Sequence, residues 1–303
     1  GNCIIAVRDK DQNIMWSWHI WVTDHSMTHT YEVHNDPNVG GAVTSKFMEI
    51  PLGWCDPEVR TADPYRNLHL TMKQSDSNGQ IANISIVQVS SDYTYGNNAP
   101  FYEWGRKDPI LPGDGMGNTD KPTYDKQYPV FSRQNSAVAT NIAILHPYIY
   151  YFLLDGSWSS NNSLEFWNKG NTSTAYDNTI VNKTIYDPSP SGYKLPQTAA
   201  FSGFSSSNVS GPYNKGWNFY CYPNATGQTF FLAALGFRDM ISSRMSASTG
   251  GNIGYCSVYG VYFTAGPHPT ASNDRFFTLY SGGTIIQDAN GRSLGCQVWP
   301  VSE

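Results

Sequence analysis

Residues 14–23 alternate with a period of two, and this pattern constrains the fold more than any other feature of the chain. Ile14, Trp16, Trp18, Ile20 and Val22 occupy one set of positions, and Met15, Ser17, His19, Trp21 and Thr23 occupy the other. Such alternation predicts a β-strand. Because both sets contain tryptophan, we expect both faces of the strand to be covered. The apolar run 3–8 and the turn-forming residues 9–13 precede it, so the N-terminus is predicted to be a β-hairpin.

A second hairpin is predicted further along the chain. Leu68, Leu70 and Met72 alternate with polar residues. An Asn-Gly pair at residues 78–79 is typical of a tight turn. Residues 81–89 are rich in β-branched side chains, which favour the returning strand.

The rest of the chain predicts loops, one short helix and a C-terminal meander. Residues 137–145 are expected to form the helix, ending before Pro147 because a residue that precedes proline avoids the helical conformation. Loops are expected over residues 90–130 and 157–183, which are rich in Asn, Gly and Pro. The predicted later strands are residues 184–186, 255–264, 276–280, 284–287 and 292–299.

These elements indicate an α+β fold that is rich in strands and loops, with long loops and few short helices. No stretch of linker composition divides the sequence, so residues 1–303 are predicted to form one elaborated domain. The alternative is an N-terminal β-subdomain over residues 1–130, followed by a core over residues 131–303.

Composition excludes several classes of function. Charged residues make up 14% of the chain, well below the usual quarter, and polar uncharged residues replace them as in loop-rich extracellular proteins. The net charge is −5 and the basic residues are scattered, so no nucleic-acid partner is expected. No apolar run is long enough to be a transmembrane segment. The start at Gly1 suggests that a signal or further domains precede this segment in the full-length protein.

The five cysteines leave two interpretations open. They are Cys3, Cys55, Cys221, Cys256 and Cys296. One or two disulfides would fit an exported protein, and buried unpaired thiols are the alternative. None of the cysteines forms a Cys-x-x-Cys pair, and no histidine cluster lies nearby at zinc-ligand spacing. We therefore predict no metal site and no cofactor.

The first candidate binding segment covers residues 104–109. Trp104 could stack on a sugar, while Arg106 and Asp108 could orient a polar ligand through charge-assisted hydrogen bonds. In the alternative interpretation Trp104 belongs to the core, and Arg106 pairs with Asp108 or another buried acid to hold the loop. Asp108 also begins a series of oxygen-bearing side chains, but their spacing differs from that of known calcium loops. A solvated acidic loop is the competing interpretation for that series, which continues with Asp114, Asn118 and Asp120.

The second candidate segment is the loop 266–275 between two strands of the predicted meander. His268, Asn273 and Asp274 could contact a glycan or a peptide from this loop, assisted by Tyr262 or Tyr259. The alternative is a plain surface connection. An aromatic patch over residues 217–222 could also support sugar stacking, or could equally be a buried strand.

Several segments, in this order and spacing, resemble the large C-terminal modules of Bacteroidetes fimbrillin-associated and other surface lipoproteins. That family is related to the Fibrobacter-type major paralogous domain and, more distantly, to C-type lectin-like folds. The segments are IMWSWHIWVT (14–23), LGWCD (52–56), FYEWGRKDP (101–109), IYDPSPSGYKLP (185–196), LGFRD (235–239), DR (274–275) and GRSLGCQV (291–298). The resemblance implies an exported protein, associated with the outer membrane, with an elaborated lectin-like fold.

This sequence departs from the family pattern at two places. Residues 255–258 read Tyr-Cys-Ser-Val where Tyr-Trp-Ser-Ser is usual, and Gly295 stands where an arginine is usual. These departures put the transfer of a pocket charge in doubt. The motifs of calcium-dependent sugar-binding lectins are not found, so sugar binding of that type is not implied.

The sequence supports three functional hypotheses. The first is a cell-surface adhesion or ligand-recognition module, at or near a fimbrial tip, that binds a host or bacterial glycan or protein without catalysis. The second is a structural subunit that anchors or terminates a fimbrial assembly and has other fimbrial subunits as partners. The third is a cysteine-dependent or glycan-active enzyme, although the sequence lacks the nucleophile-elbow, phosphate-loop and zinc-protease motifs.

Overall fold

The computed structural model describes residues 1–55, 66–73, 79–88, 99–110, 132–153, 156–170, 172–239, 253–270 and 272–303. Strands account for 42% of the structure and helix for 3%. The expected strand-rich and loop-rich architecture is therefore confirmed, and the fold is mostly β because its helical part is so small. The strands form several small sheets rather than one large sheet.

The elements are numbered in chain order within the described residues. The strands before the helix are β1 (Asn2–Arg8), β2 (Ile14–Trp21), β3 (Thr30–His34), β4 (Thr44–Met48), β5 (Arg66–Lys73), β6 (Ile81–Gln88), β7 (Tyr102–Glu103) and β8 (Ser132–Asn135). The helix is α1 (Thr140–Leu145). The strands after it are β9 (Ile149–Phe152), β10 (Tyr193–Lys194), β11 (Gly216–Tyr222), β12 (Thr226–Ala233), β13 (Phe237–Arg238), β14 (Ile253–Gly254), β15 (Tyr259–Phe263), β16 (Phe276–Tyr280), β17 (Gly283–Asp288), β18 (Gly295–Cys296) and β19 (Val301–Ser302).

The N-terminal hairpin forms as predicted, but its outer face is left open to solvent. Strands β1 and β2 pair antiparallel, with Ile5 opposite Trp18 and Ala6 opposite Ser17. On the inner face the ring N–H of Trp21 donates a 2.9 Å hydrogen bond to the carbonyl oxygen of Trp54. On the outer face Trp18 is 49% exposed. The expectation that both faces are covered is therefore wrong.

The second hairpin is confirmed in the described residues. Strands β5 and β6 pair antiparallel from Arg66 opposite Gln88 to Lys73 opposite Ile81. Gly79 in the connection has a φ of +49°, a conformation that suits glycine in tight turns. Asn78 and most of the predicted loop over residues 90–130 lie outside the described residues.

The predicted helix is present but shorter than expected. Helix α1 begins at Thr140 and ends at Leu145. His146 leaves the helical conformation, with φ of −129° and ψ of 64°, because Pro147 disfavours a helical residue before it. At the other end Ala139 is extended, with φ of −65° and ψ of 147°, and Val138 forms a β-bridge with Ser159, so the helix does not extend toward residue 137.

The C-terminal meander is confirmed for three of its four predicted strands. Strands β15, β16 and β17 form one antiparallel sheet in that order. The fourth prediction, over residues 292–299, is wrong, since only Gly295 and Cys296 form a strand there, and that strand pairs with β13 and β7. The short strand predicted at residues 184–186 is a turn.

Strands from distant parts of the sequence share sheets. Strand β4 pairs with β19 near the C-terminus, and β7 pairs with β18. Two large apolar clusters fill the interior. Trp104, Trp158 and Trp167 belong to the first, whereas phenylalanines dominate the second, including Phe47 and Phe201.

In the part of the chain that the structure describes, helices of the length and apolar character needed to cross a membrane are not found.

Candidate functional site

The first predicted binding segment lies in the interior. Trp104 is 0% exposed, and its ring N–H donates a 3.0 Å hydrogen bond to the carbonyl oxygen of Thr264. The next residue, Gly105, has a φ of +93°, and a Cβ atom placed there would lie 2.7 Å from the ring of Phe166. Only glycine fits both the conformation and the close approach, so this turn is built to fix Trp104 in the core.

Arg106 forms a buried ion pair with Glu103. Its guanidinium also donates a 2.7 Å hydrogen bond to the carbonyl oxygen of Ile149 and lies 5.4 Å from the ring centre of Tyr151. Burial raises the pKa of Glu103 to about 7, although the positive charge of Arg106 opposes the shift. The pair ties the 103–106 turn to β9.

Asp108 belongs to a second buried network. Lys107 Nζ lies 2.7 and 2.8 Å from the two carboxylate oxygens of Asp108, and it donates a 2.9 Å hydrogen bond to the carbonyl oxygen of Ser17. The Ser17 hydroxyl donates a 2.7 Å hydrogen bond to Asp108 Oδ1. Lys107 Nζ also lies 4.5 Å from the ring centre of Trp16. Through Ser17 this network attaches the inner face of β2 to the domain.

A third buried arrangement joins the two predicted segments. The guanidinium carbon of Arg292 lies 4.3 Å from the ring centre of Trp104. Arg292 also donates 3.1 and 2.7 Å hydrogen bonds to the carbonyl oxygens of Asn273 and Ser163. Asp274 is fully buried nearby, and its desolvation raises the pKa of its carboxyl well above the ordinary value.

The burial of these side chains changes their interpretation. Trp104, Arg106, Asp108 and Asp274 each have at most 3% of their surface exposed. Tyr262 is also fully buried, and its hydroxyl donates a 2.5 Å hydrogen bond to the carbonyl oxygen of Ala233. Side chains without exposed surface cannot touch a ligand in this conformation, so their contacts favour the alternative in which they hold loops in place.

His268 and Asn273 lie nearer the surface of the second predicted segment, and both are half-buried. His268 Nδ1 accepts a 3.0 Å hydrogen bond from the backbone N–H of Thr270. Burial, followed by the charge of Arg275, lowers the pKa of His268. Arg275 fixes the loop by donating a 2.7 Å hydrogen bond to the carbonyl oxygen of Thr174. The loop is therefore held firmly, and Ala271 within it lies outside the described residues.

A cleft of about 230 Å³ opens beside the C-terminal meander. Its floor comes from the sheet of β15, β16 and β17, and its wall comes from β13 and the segment that follows β14. The side chains that give it chemical character are Phe237, Asp239, Tyr255, Tyr259, Asp288 and Asn290.

Aromatic rings form one side of this cleft. Phe237 stacks on Tyr255 with 5.2 Å between ring centres, and Tyr259 meets Tyr255 edge-on at 5.4 Å. The ring of Tyr259 also stacks on the ring of Tyr280, with 5.4 Å between ring centres. Tyr255 has a φ of +61°, which is uncommon for a side chain of this size. Backbone strain of this kind is concentrated at binding and active sites.

Carboxylate and amide groups form another side. The hydroxyl of Thr278 donates a 2.9 Å hydrogen bond to Asp288 Oδ2. The backbone N–H of Asn290 donates a 3.2 Å hydrogen bond to Asp274 Oδ1, so buried Asp274 positions a residue of the cleft. Asp239 contributes a second acid. Lysine and arginine side chains do not line the cleft in the described residues, and its character is therefore acidic and aromatic.

Sequence reasoning found only the edge of this cleft. The sequence predicts Tyr259 as an assisting ring and Asp274 as a ligand-binding residue of the loop 266–275, whereas in the structure Asp274 is buried behind the cleft. No sequence pattern places Phe237, Tyr255 and Asp288 together, because they lie on β13, on the segment after β14 and on β17, and only the fold brings them together. The positive φ of Tyr255 cannot be read from its neighbours in the sequence.

The aromatic patch of residues 217–222 is divided between core and surface. Phe219 is buried, and Trp217 donates a 2.9 Å hydrogen bond from its ring N–H to the carbonyl oxygen of Tyr280. Tyr222 is exposed and stacks on His34 with 4.3 Å between ring centres. These two rings line a separate depression of about 220 Å³, which is largely apolar and lacks a carboxylate.

All five cysteines are free thiols. Burial raises the pKa of Cys221 and of Cys256 to about 11, and it raises the pKa of Cys296 well above the ordinary value. A nucleophilic cysteine needs a lowered pKa, so these shifts oppose thiolate chemistry at the three positions. Within the described residues, no three His, Cys, Asp or Glu side chains lie close enough together to hold a metal ion.

Comparison of the chain with protein-family models, with curated proteins and with solved structures finds no match.

Proposed function

We propose that this protein is a cell-surface recognition module that binds a glycan in the aromatic and acidic cleft, without catalysing a reaction. One observation carries the proposal. The rings of Tyr255 and Tyr259 and the carboxylate of Asp288 line the same cleft. Aromatic faces suit the apolar face of a sugar ring, and a carboxylate accepts hydrogen bonds from its hydroxyl groups.

The volume of the cleft supports a small ligand. Sites for larger small molecules usually measure roughly 300–1,000 Å³, and this cleft measures about 230 Å³. A single sugar ring, such as the end of a glycan chain, is the part that it would hold. The rest of the glycan would extend into solvent.

The negative charge of the cleft favours the binding of neutral sugars and amino sugars over that of acidic sugars. Asp288 lines it, and a sialic acid or a sulfated sugar would meet its like charge at short range. An amino sugar would instead gain a charge-assisted hydrogen bond. We therefore assign a neutral or amine-bearing terminal sugar on a host or bacterial surface as the ligand class.

The wider setting is part of the same proposal. The ordered motifs that resemble Bacteroidetes surface lipoproteins and the low content of charged residues support a location at the cell surface, associated with the outer membrane. They also support a lectin-like fold and a place at or near a fimbrial tip. The firm internal fixation of the loops supports recognition by a preformed site.

The second function, a structural subunit of a fimbrial assembly, is favoured by a different feature. The outer face of the β1–β2 hairpin is apolar and exposed, as expected for a surface that meets another protein. The two functions are compatible, because this face and the cleft use different residues.

The proposal is tested by screening the purified chain on arrays of immobilised glycans and host-matrix proteins, with and without calcium. Binding to glycans that end in a neutral or amino sugar is expected, and calcium should not be needed. A chain that is folded by circular dichroism but binds no glycan would contradict recognition and leave the structural role. Binding that is confined to acidic glycans would contradict the assigned ligand class.

A further inference from the structure

The outer face of the β1–β2 hairpin carries a continuous apolar ladder. The register places Cys3 opposite Ile20, Ile5 opposite Trp18 and Val7 opposite Trp16. Directly opposed residues in an antiparallel pair point to the same side of the sheet, so these six side chains share one face. We call this face the ribbon ladder. It contains no charged residue.

The ribbon ladder is exposed although the hairpin is held firmly. Ile5, Val7, Trp18 and Ile20 are each between 37% and 51% exposed. The opposite face is fastened to the domain through Ser17, which bonds to the buried carboxylate of Asp108, and through the Trp21 hydrogen bond described above. The ladder is therefore a preformed surface, and a partner would not have to order it on binding.

From these observations we infer that the ribbon ladder is the contact surface between two copies of this chain. Two such ladders can pack face to face about 10 Å apart, as the layers of a β-sandwich do. None of the six side chains is charged, and the Lys107 ammonium that lies against the Trp16 ring is buried and paired with Asp108. A second copy of the ladder therefore brings no unpaired like charges together.

The exposed area of the ladder limits the size of the interface that two copies can form. A half-exposed tryptophan leaves about 100 Å² free, and the six side chains together leave on the order of 500 Å² per copy. Two copies would bury about 1,000 Å² in total, at the lower limit for a specific interface. An interface of this size is typical of weak, transient contacts, so we expect a weak and reversible dimer.

Sedimentation velocity of the whole chain, over concentrations from about 1 µM to several hundred µM, tests the inference. The native chain should shift from monomer to dimer across this range. Trp18→Ser and Ile5→Ser should each weaken dimerisation at least tenfold. Both sites are exposed, so circular dichroism and thermal unfolding should show an unchanged fold.

Ile185→Ser is the matched control, because Ile185 is 71% exposed and lies far from β1 and β2 in sequence. It should dimerise like the native chain. Two results would overturn the inference. One is a monomer at every concentration, which would assign the ladder to a different partner. The other is a dimer that Trp18→Ser leaves intact, which would place the contact on another surface.

Discussion

Thr278 holds the carboxylate of Asp288 in place by donating a 2.9 Å hydrogen bond from its hydroxyl to Asp288 Oδ2. The two residues lie on adjacent strands, β16 and β17, so the sheet fixes the direction of the carboxylate before any ligand arrives. The second oxygen, Oδ1, accepts a 3.0 Å hydrogen bond from the backbone N–H of Ala289. A group oriented in this way loses little freedom on binding, which favours affinity.

Removing the charge of Asp288 should weaken binding without disturbing the fold. In Asp288→Asn the side-chain oxygen can still accept the hydrogen bond from Thr278, but the negative charge and the acceptor for the Ala289 N–H are lost. Hydrogen bonds to charged groups contribute about 1.5–3 kcal/mol, so an amino sugar should bind about 10- to 100-fold more weakly. Isothermal titration calorimetry with a glycan identified on the array measures the change. Asp11→Asn, at an exposed position in the β1–β2 turn, is the control, and equal affinity for both variants would contradict the role of Asp288.

Removing the aromatic wall should weaken binding of every glycan that the cleft accepts. Tyr259→Ala deletes a ring that meets Tyr255 and stacks on Tyr280, and the loss of one stacking ring should lower affinity about tenfold. Tyr222→Ala is the matched control, since that exposed ring lines the separate depression beside His34. The same titration would assign the ligand to that depression if Tyr222→Ala, and not Tyr259→Ala, weakened binding.

Asp108 should matter for stability and not for ligand contact. Asp108→Ala leaves Lys107 buried without its counter-charge, so the free energy of unfolding should fall by about 3–5 kcal/mol. The double variant Lys107→Met with Asp108→Ala removes both charges and should be less destabilised than the single one. Urea denaturation measures both. An Asp108→Ala chain with native stability and no glycan binding would instead place Asp108 at the ligand.

His19 should make the protein less stable as the pH falls. Its Nε2 lies 2.8 Å from Asn2 Oδ1, and its Nδ1 lies 3.0 Å from the Tyr102 hydroxyl. Burial lowers the pKa of His19 from 6.5 to about 4. The unfolded chain therefore takes up a proton below about pH 6.5, whereas the folded chain does so only near pH 4. His19 should remove up to about 3 kcal/mol of stability as the pH falls from 6.5 to 4.

The difference between the native chain and His19→Gln isolates this effect. Other buried groups also titrate in this window, including Asp187, whose pKa burial raises to about 6. Urea denaturation at several pH values should show that the native chain loses more stability than His19→Gln toward low pH. Parallel curves for the two proteins would mean that His19 is not held neutral by its burial.

Local pattern predicted the hairpins because their strands are adjacent in the sequence. Residues 14–23 and 81–89 alternate or are β-branched, and a short turn precedes each of these strands. The bounds and partners of strand β18 could not be found in this way, although the strand predicted over residues 292–299 contains it. It consists of Gly295 and Cys296, and it exists because β7 and β13 lie on either side of it. Its pairing depends on contacts that are distant in sequence.

The candidate site also depends on contacts that a local sequence pattern cannot predict. The sequence Trp-Gly-Arg-Lys-Asp at residues 104–108 is typical of an exposed loop that presents side chains to a ligand. In the structure its charged side chains form ion pairs in the interior. The partner of Asp108 besides its neighbour Lys107 is Ser17, which is 91 positions away. Whether a polar segment is buried or exposed depends on such partners, which lie far away in the sequence. Sequence patterning therefore identified residues that hold the loops, and the three-dimensional arrangement was needed to find the cleft.

Hydrogen–deuterium exchange of the native chain, with and without a glycan identified on the array, tests the location of the site most directly. Bound glycan should slow exchange in residues 253–259 and 284–290, which carry Tyr255, Tyr259 and Asp288, and leave residues 101–110 unchanged. Protection confined to residues 101–110 or to the loop 266–270, with none in the first two segments, would contradict the assignment of the ligand to the aromatic and acidic cleft.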